Sequence, residues 1–103
     1  MVKIDVYKTA ENKDTYSFEK HVEYSERLNT RGGDMICLCW SGETFSNIFS
    51  NFVNSFDKNN LFKIVFEANG YTKTVLNENF AGFNYRIGED GEDITESIDF
   101  WLK

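Results

Sequence analysis

The sequence predicts an α+β domain in which one main amphipathic helix packs on an antiparallel β-sheet of about six to seven strands. Most of the chain alternates between apolar and polar residues with the period of two that is typical of half-buried strands. One segment, 43–57, instead repeats its apolar residues with the period of a helix. Short connections favour antiparallel pairing, and 103 residues predict a single domain over 1–103.

The first strands are predicted from alternation alone. Residues 2–7 carry aliphatic side chains at every second position, starting at Val2. Residues 16–24 alternate in the same way, with apolar or aromatic side chains at Tyr16, Phe18, Val22 and Tyr24. We interpret 16–24 as one continuous half-buried strand.

Residues 35–40 form an apolar run, Met-Ile-Cys-Leu-Cys-Trp, in which both faces of a strand would be apolar. Such a strand is typical of the centre of a sheet that is covered on both sides. The helix could cover one side. The other would need a sheet curved strongly into a barrel, a C-terminal helix or another chain. We expect Trp40 or Trp101 to lie at the surface that is left uncovered.

The helix prediction rests on six apolar residues of segment 43–57. They recur at intervals of three and four residues, which places them on one stripe of a helix. They are Phe45, Ile48, Phe49, Phe52, Val53 and Phe56. The other face is rich in Ser and Asn, which are weak helix formers. Packing of the phenylalanine stripe must therefore hold this helix.

The remaining elements follow from turn signals. Asn69-Gly70 between two alternating runs is the strongest short-range signal for a β-hairpin, and it joins strands 62–68 and 71–76. A further strand runs through 83–87 and is followed by a turn at 89–92. The last segment fits a strand or a helix. We favour the strand, in which one face consists of Ile94, Glu96, Ile98, Phe100 and Leu102.

Composition excludes several classes of protein. Seventeen acidic residues against eleven basic ones give a net charge of −6, so a basic nucleic-acid binder is excluded as the default. No apolar run approaches the ~20 residues of a membrane span, and no leader segment is visible. We therefore expect a cytoplasmic protein that contacts neither membrane nor nucleic acid directly. Ten phenylalanines and no proline point to a low-GC bacterium or one of its phages.

No motif predicts catalysis, a metal or a cofactor. Cys37 and Cys39 have Cys-x-Cys spacing, which matches neither a zinc site nor the Cys-x-x-Cys redox motif, so we interpret them as reduced structural thiols. His21 is the only histidine, and Glu19 and Glu23 lie on its strand face, but no nucleophile accompanies them. We expect no enzyme activity, no catalytic residue, no metal and no cofactor.

Acidic residues are concentrated at the C-terminal end. Residues 76–103 hold seven acidic residues against Arg86 and Lys103. Such a cluster focuses negative potential and can steer a basic partner, or it can serve solubility alone. The predicted contacts are the carboxylates of this segment with two aromatic anchors: Glu89, Asp90, Glu92, Asp93, Glu96, Asp99, Trp101 and Tyr85.

Two functions from different classes fit these patterns. The first is a small acidic inhibitor that blocks a basic, nucleic-acid-handling protein, as an immunity protein or antitoxin does against a nuclease toxin, or as a phage anti-defence protein does by mimicking nucleic acid. The alternative is an assembly module that acts as a homodimer. In that case the doubly apolar strand and the Ser/Asn face of the helix form the interface, and the acidic segment only keeps the protein in solution.

Overall fold

The structure, a computed structural model, describes residues 2–18, 22–28, 33–41, 52, 54, 56, 58–90 and 93–103. Its strands form two four-stranded sheets in which every pairing is antiparallel. Sheet 1 has the order β2-β1-β5-β6 and sheet 2 the order β3-β4-β8-β7. The strands are β1 (Val2–Tyr7), β2 (Lys13–Phe18), β3 (Glu23–Arg27), β4 (Met35–Ser41), β5 (Lys63–Ala68), β6 (Tyr71–Leu76), β7 (Phe80–Asp90) and β8 (Asp93–Leu102). Short 3-10 turns occupy Lys58–Asn60 and Asn77–Asn79.

The core lies between the two sheets. Alternate residues of each strand point inward, as the period of two requires, and they form one buried cluster. Its largest side chains are Phe18 and Phe66 from sheet 1, Phe80 and Phe100 from sheet 2, and Phe52 from between the strands. Phe66 and Phe100 meet edge to face across the two layers, with ring centroids 5.0 Å apart.

The predicted fold class is wrong. The layer that covers the apolar face of each sheet is the other sheet, and the described residues contain eight strands and no helix of seven or more residues. Most of the predicted helix, 43–57, lies outside the described residues. Phe52 is fully buried. The backbone N–H of Phe56 donates a hydrogen bond to the carbonyl of Phe52 over 2.9 Å. The apolar stripe therefore does supply a core residue, but it is not the main layer.

The prediction of one strand over 16–24 is also wrong. Residues up to Phe18 belong to β2 in sheet 1, and Glu23 onward belongs to β3 in sheet 2. Both strands turn their apolar residues toward the same core, so the alternation continues across the change of sheet. Alternation of apolar residues indicates only which face of a strand is buried. Because β2 and β3 bury their apolar residues in the same core, the alternation looks like that of one strand.

Other strand predictions are confirmed. β4 lies in the interior of sheet 2, between β3 and β8, as its doubly apolar sequence indicates. Asn69 and Gly70 both have positive φ, 51° and 84°, which is the backbone of the two-residue turn that the Asn-Gly pair predicts. The last segment is strand β8, as favoured, and it pairs with β4 and β7 along its length.

Two tyrosines on one carboxylate join the sheets along the edges formed by β3 and β6. Tyr24 and Tyr71 both donate to Oε1 of Glu26, over 2.6 and 3.1 Å, and their ring centroids lie 6.0 Å apart. Burial, and then the hydrogen bond to Glu26, raises the pKa of the Tyr24 hydroxyl above its usual value of 10.0. The bond to Glu26 likewise raises the pKa of Tyr71.

Raised tyrosine pKa values predict alkaline instability. Unfolded tyrosines lose their protons near pH 10, whereas the folded chain retains them, so the free energy of unfolding is expected to fall as pH rises above 10. Thermal unfolding between pH 8 and 11.5 measures this loss. Tyr24→Phe removes one of the groups, and this variant is expected to lose fewer degrees of Tm than the wild type over that range. An equal loss in both proteins would contradict the assignment.

Candidate protein-binding surface

The outer face of sheet 2 collects the side chains that point away from the core. The strand registers set its members in rows across the sheet. One end carries Arg27, Met35 and Trp101, and the middle carries Cys37, Asp99 and Asn84 beside Cys39, Ser97 and Arg86. The pairing of β7 with β8 continues to Asp90 opposite Asp93. Met35, Cys37 and Cys39 therefore form an apolar strip along β4, and the neighbouring side chains on β8 and β7 are mostly polar.

Asp99 is buried at the centre of this face. Only 2% of its surface is exposed, and its carboxylate accepts hydrogen bonds from Nε of Arg86 and, over 3.0 Å, from the terminal nitrogen Nη2 of the same side chain. Such a two-pronged pair holds the guanidinium in one orientation. Asp99 was predicted as a partner contact, but in the folded chain its charge is already compensated by Arg86.

Trp101 is the exposed aromatic of this face, with 37% of its surface accessible. Its indole N–H donates to Oδ1 of Asn84 over 2.6 Å, which fixes the ring across β7 and β8. The expectation that a tryptophan would lie at the uncovered surface is met by Trp101. Trp40 lies on β4, and its side chain is outside the described part of the structure.

Glu96 and Tyr85 lie on the inner face of sheet 2. Glu96 is 5% exposed and accepts a hydrogen bond from the Tyr85 hydroxyl. Burial, with this hydrogen bond, raises the pKa of Tyr85 to about 12. The strand pattern itself indicated this outcome for Glu96, because it placed that residue on the apolar face with Ile98 and Phe100.

The acidic tip of the β7–β8 hairpin comprises Glu89, Asp90, Glu92 and Asp93. Asp90 pairs with Asp93, which leaves two residues between the strands. Glu92 lies outside the described residues, and the side chains of the other three are not described. Trp101 lies eight positions after Asp93 on β8, about 26 Å away at 3.3 Å per residue. The acidic tip and Trp101 therefore lie at opposite ends of β8.

Charge is distributed unequally between the sheets. The strands of sheet 2 carry seven acidic and two basic residues, whereas those of sheet 1 carry three acidic and four basic ones. The C-terminal accumulation of acidic residues in the sequence thus becomes an accumulation on one layer of the molecule. The strands of sheet 2 therefore carry a net charge of −5, and an excess of one sign attracts surfaces of the opposite sign.

Cys37 and Cys39 are both free thiols on the outer face of sheet 2. Burial is the main reason that the pKa of Cys37 rises to about 11, and a hydrogen bond with Asp99 adds to it. A thiol with so high a pKa is protonated at neutral pH and is a poor nucleophile. The geometry agrees with a structural role for Cys37.

Alkylation measures this property of Cys37 directly. In Cys39→Ser, which leaves Cys37 as the only thiol, the reaction with iodoacetamide at pH 8 is expected to be about a hundredfold slower than that of a thiol with a pKa near 9. Mass spectrometry after timed quenching gives the rate. The same variant unfolded in urea provides the control and is expected to react at the ordinary rate. Equal rates in the folded and unfolded chains would refute the assignment.

In the part of the chain that the structure describes, no group of three His, Cys, Asp or Glu side chains lies close enough to hold a metal ion. No helix among those residues is long and apolar enough to cross a membrane. The carboxylate–histidine pair that the sequence suggested falls largely outside the described residues, which include neither Glu19 nor His21. Glu23 is exposed on β3.

Comparisons with protein-family models, with curated proteins and with solved structures find no match to this chain.

Arg86 and Asn84, which hold Asp99 and Trp101 in place, were not predicted as site residues. Arg86 lies 13 residues from Asp99 and Asn84 lies 17 residues from Trp101. Only the β7–β8 register, with its bulge between Phe80 and Gly82, brings each pair together. The alternation did place Asn84 and Arg86 on the face opposite to Tyr85, and that was the one available signal.

Proposed function

We propose that this protein is a small acidic inhibitor that binds and blocks a basic, nucleic-acid-handling protein in the cytoplasm. The observation that carries the proposal is the separation of charge, with seven acidic and two basic residues on sheet 2. A layer with a net charge of −5 attracts a cationic surface and competes with the phosphates that such a surface normally binds. The proposed activity is binding, without catalysis.

The acidic tip of the β7–β8 hairpin is the proposed centre of contact. Asp90 lies opposite Asp93 in the strand register, and like charges at opposite positions weaken a strand pair. A cationic partner relieves that repulsion, so the hairpin gains more from binding than an uncharged turn would. Glu96 and Asp99 serve the fold instead, because both are buried.

Affinity capture with charge variants tests the proposal. The protein is immobilised and exposed to lysate from a low-GC bacterium, and bound proteins are identified by mass spectrometry. The wild type is expected to retain a basic nucleic-acid-binding protein. The variant E89Q/D90N/E92Q/D93N is expected to lose it, and so is the wild type in high salt, because screening weakens steering between exposed charges.

A matched variant separates position from total charge. E11Q/D14N/E67Q/E78Q changes the net charge by the same amount but neutralises exposed residues on or beside sheet 1. It is expected to bind like the wild type. Equal losses in both quadruple variants would mean that only net charge matters. Retention of the same partners by both would make the acidic tip a solubility feature.

Trp101 supplies an independent probe of the extent of the surface. Its exposed ring is anchored by Asn84, and exposed tryptophans are frequent anchors of protein interfaces. Loss of the captured partner in Trp101→Ala would extend the interface along β8 to the far end of sheet 2. Unchanged capture would confine the interface to the hairpin tip.

A further inference from the structure

An open groove lies at the end of the molecule where β6 and β8 end and β7 begins. This terminal groove is lined by Phe62, Leu76, Asn77, Glu78 and Lys103, and its volume is about 470 Å³. Sites for small molecules typically have volumes of about 300–1,000 Å³. The terminal groove therefore has the size of a small-molecule site, and its lining residues define which chemistry it fits.

Backbone hydrogen bonds hold the segments that line the terminal groove. The N–H of Asn77 donates to the carbonyl of Phe62 over 3.2 Å, and the N–H of Phe62 donates to the carbonyl of Tyr7 over 2.8 Å. The N–H of Lys103 donates to the carbonyl of Asn79 over 2.8 Å. Because these segments are tied to neighbouring strands and turns, a ligand meets a groove that is already formed, which lowers the entropic cost of binding.

One part of the terminal groove is apolar. Phe62 and Leu76 have 45% and 42% of their surfaces exposed, and they are two of the five exposed large hydrophobic residues in the described part of the chain. Burial of such surface against an apolar group of a ligand is favourable. The groove therefore favours a ligand that carries an apolar side chain.

The polar part of the terminal groove carries one negative and one positive charge. Glu78 and Lys103 line the same groove, yet none of the ion pairs among the described residues includes either of them. The side chain of Asn77 likewise makes no hydrogen bond within the described part of the chain. Three polar side chains are thus available to a bound molecule.

We propose that the terminal groove binds a zwitterion with an apolar side chain, which is the chemistry of a free apolar amino acid or a short apolar peptide. The carboxylate of Glu78 accepts hydrogen bonds from the ligand's ammonium group, and the ammonium group of Lys103 donates to the ligand's carboxylate. Phe62 and Leu76 contact the apolar side chain. The amide of Asn77 bonds the peptide group when the ligand is a peptide.

Charge complementarity favours a zwitterion over a ligand with a single charge. A simple anion that reaches Lys103 also meets Glu78, and a simple cation that reaches Glu78 also meets Lys103, so each gains one attraction and one repulsion. A molecule with both charges satisfies both groups. The terminal groove lies at the opposite end of β8 from the acidic tip, and this inference does not depend on the proposed inhibitor function.

NMR titration of the full chain tests the proposal, with leucine and the dipeptide Leu-Leu as probes. Shifts of the amide signals are expected at Phe62, at Leu76 to Asn79 and at Lys103, with a Kd of about 1 mM. Binding of leucine would identify a free amino acid as the ligand, and binding of the dipeptide alone would identify a peptide. No shift at these residues with either probe at about 10 mM would overturn the proposal.

Capped probes test whether both charges of the ligand are recognised. N-acetyl-leucine lacks the ammonium group and leucinamide lacks the carboxylate, so each is expected to bind at least about tenfold more weakly than leucine. N-acetyl-Leu-Leu and Leu-Leu-amide serve the same purpose for the dipeptide. Capped and uncapped probes that bind equally well would overturn the proposal, because the groove would then recognise only the apolar side chain.

Substitutions locate the two charged groups of the protein. Glu78→Gln and Lys103→Gln are each expected to raise the Kd about tenfold. Glu11→Gln and Lys8→Gln are the matched controls, because they neutralise exposed side chains between β1 and β2 that do not line the groove, and both are expected to bind like the wild type. The dispersion of the amide spectrum shows whether each variant is folded. Unchanged binding in both Glu78→Gln and Lys103→Gln would also overturn the proposal, by placing the ligand elsewhere.

Discussion

Truncation of Phe52 to alanine is expected to lower the free energy of unfolding by about 4 kcal/mol, near the middle of the range for fully buried phenylalanines. Phe52 has no exposed surface. Its ring meets Tyr16 of sheet 1 at 5.3 Å between centroids, and Phe83 and Phe100 of sheet 2 at 5.4 and 5.8 Å. The substitution leaves a cavity between two sheets whose backbones cannot close it.

Urea denaturation measures this loss, and two further variants define its origin. Phe52→Leu keeps most of the volume and is expected to cost roughly 1.5 kcal/mol, so it provides a reading if the alanine variant does not fold. Asn54→Ala changes an exposed neighbour and is expected to remain within about 0.5 kcal/mol of the wild type. A cost below about 1 kcal/mol for Phe52→Ala would show that the segment around Phe52 does not contribute to the core.

Replacement of Arg86 by methionine is expected to lower the free energy of unfolding by about 3 kcal/mol. The change leaves the Asp99 carboxylate buried without its cationic partner, which typically costs about 3–5 kcal/mol. The lower end applies because the Arg86 side chain is 57% exposed, so its removal admits water to Asp99. Chemical denaturation provides the measurement.

A cycle and a control distinguish this pair from general surface charge. Asp99→Leu combined with Arg86→Met is expected to be far less destabilised than the sum of the two single variants, because no unpaired buried charge remains. Lys13→Met is the matched control. Asp5 is also buried on an outer face, but it keeps Thr15 at 2.6 Å and Lys3 at 3.9 Å when Lys13 is lost. Lys13→Met is therefore expected to lower the free energy of unfolding by less than about 1 kcal/mol. Additive effects of Arg86 and Asp99 would contradict a coupled pair.

The burial of Glu96 and Asp99 affects how the proposed inhibitor function should be tested. Glu96 and Asp99 contribute to the acidic composition of sheet 2 but are not available to a partner, since Tyr85 and Arg86 respectively bond them. Capture experiments that mutate the whole acidic segment would therefore mix loss of folding with loss of binding. Variants confined to the four tip residues avoid that confusion.

Most of the strands could be predicted from local sequence patterns. Period-two alternation located β1, β5 and β8, the Asn69-Gly70 pair located the hairpin of β5 and β6, and the doubly apolar run located β4 in the interior of its sheet. These predictions succeed because they depend on local properties: the direction of successive side chains and the φ angles that a residue tolerates. The faces of β4 and β8 were assigned correctly for the same reason.

The layer that covers each sheet face could not be predicted from local patterns, because it depends on how the sheets pack. An apolar stripe predicts that a surface is buried, but it does not predict which element covers that surface. A second sheet met that requirement in place of the predicted helix. The division of 16–24 between two sheets was invisible for the same reason, because β2 and β3 face one core. The bonds from Tyr71 to Glu26, 45 residues apart, and from Arg86 to Asp99 depend on which strands are adjacent and in which register. That is a property of the packed sheets and not of any local stretch of chain.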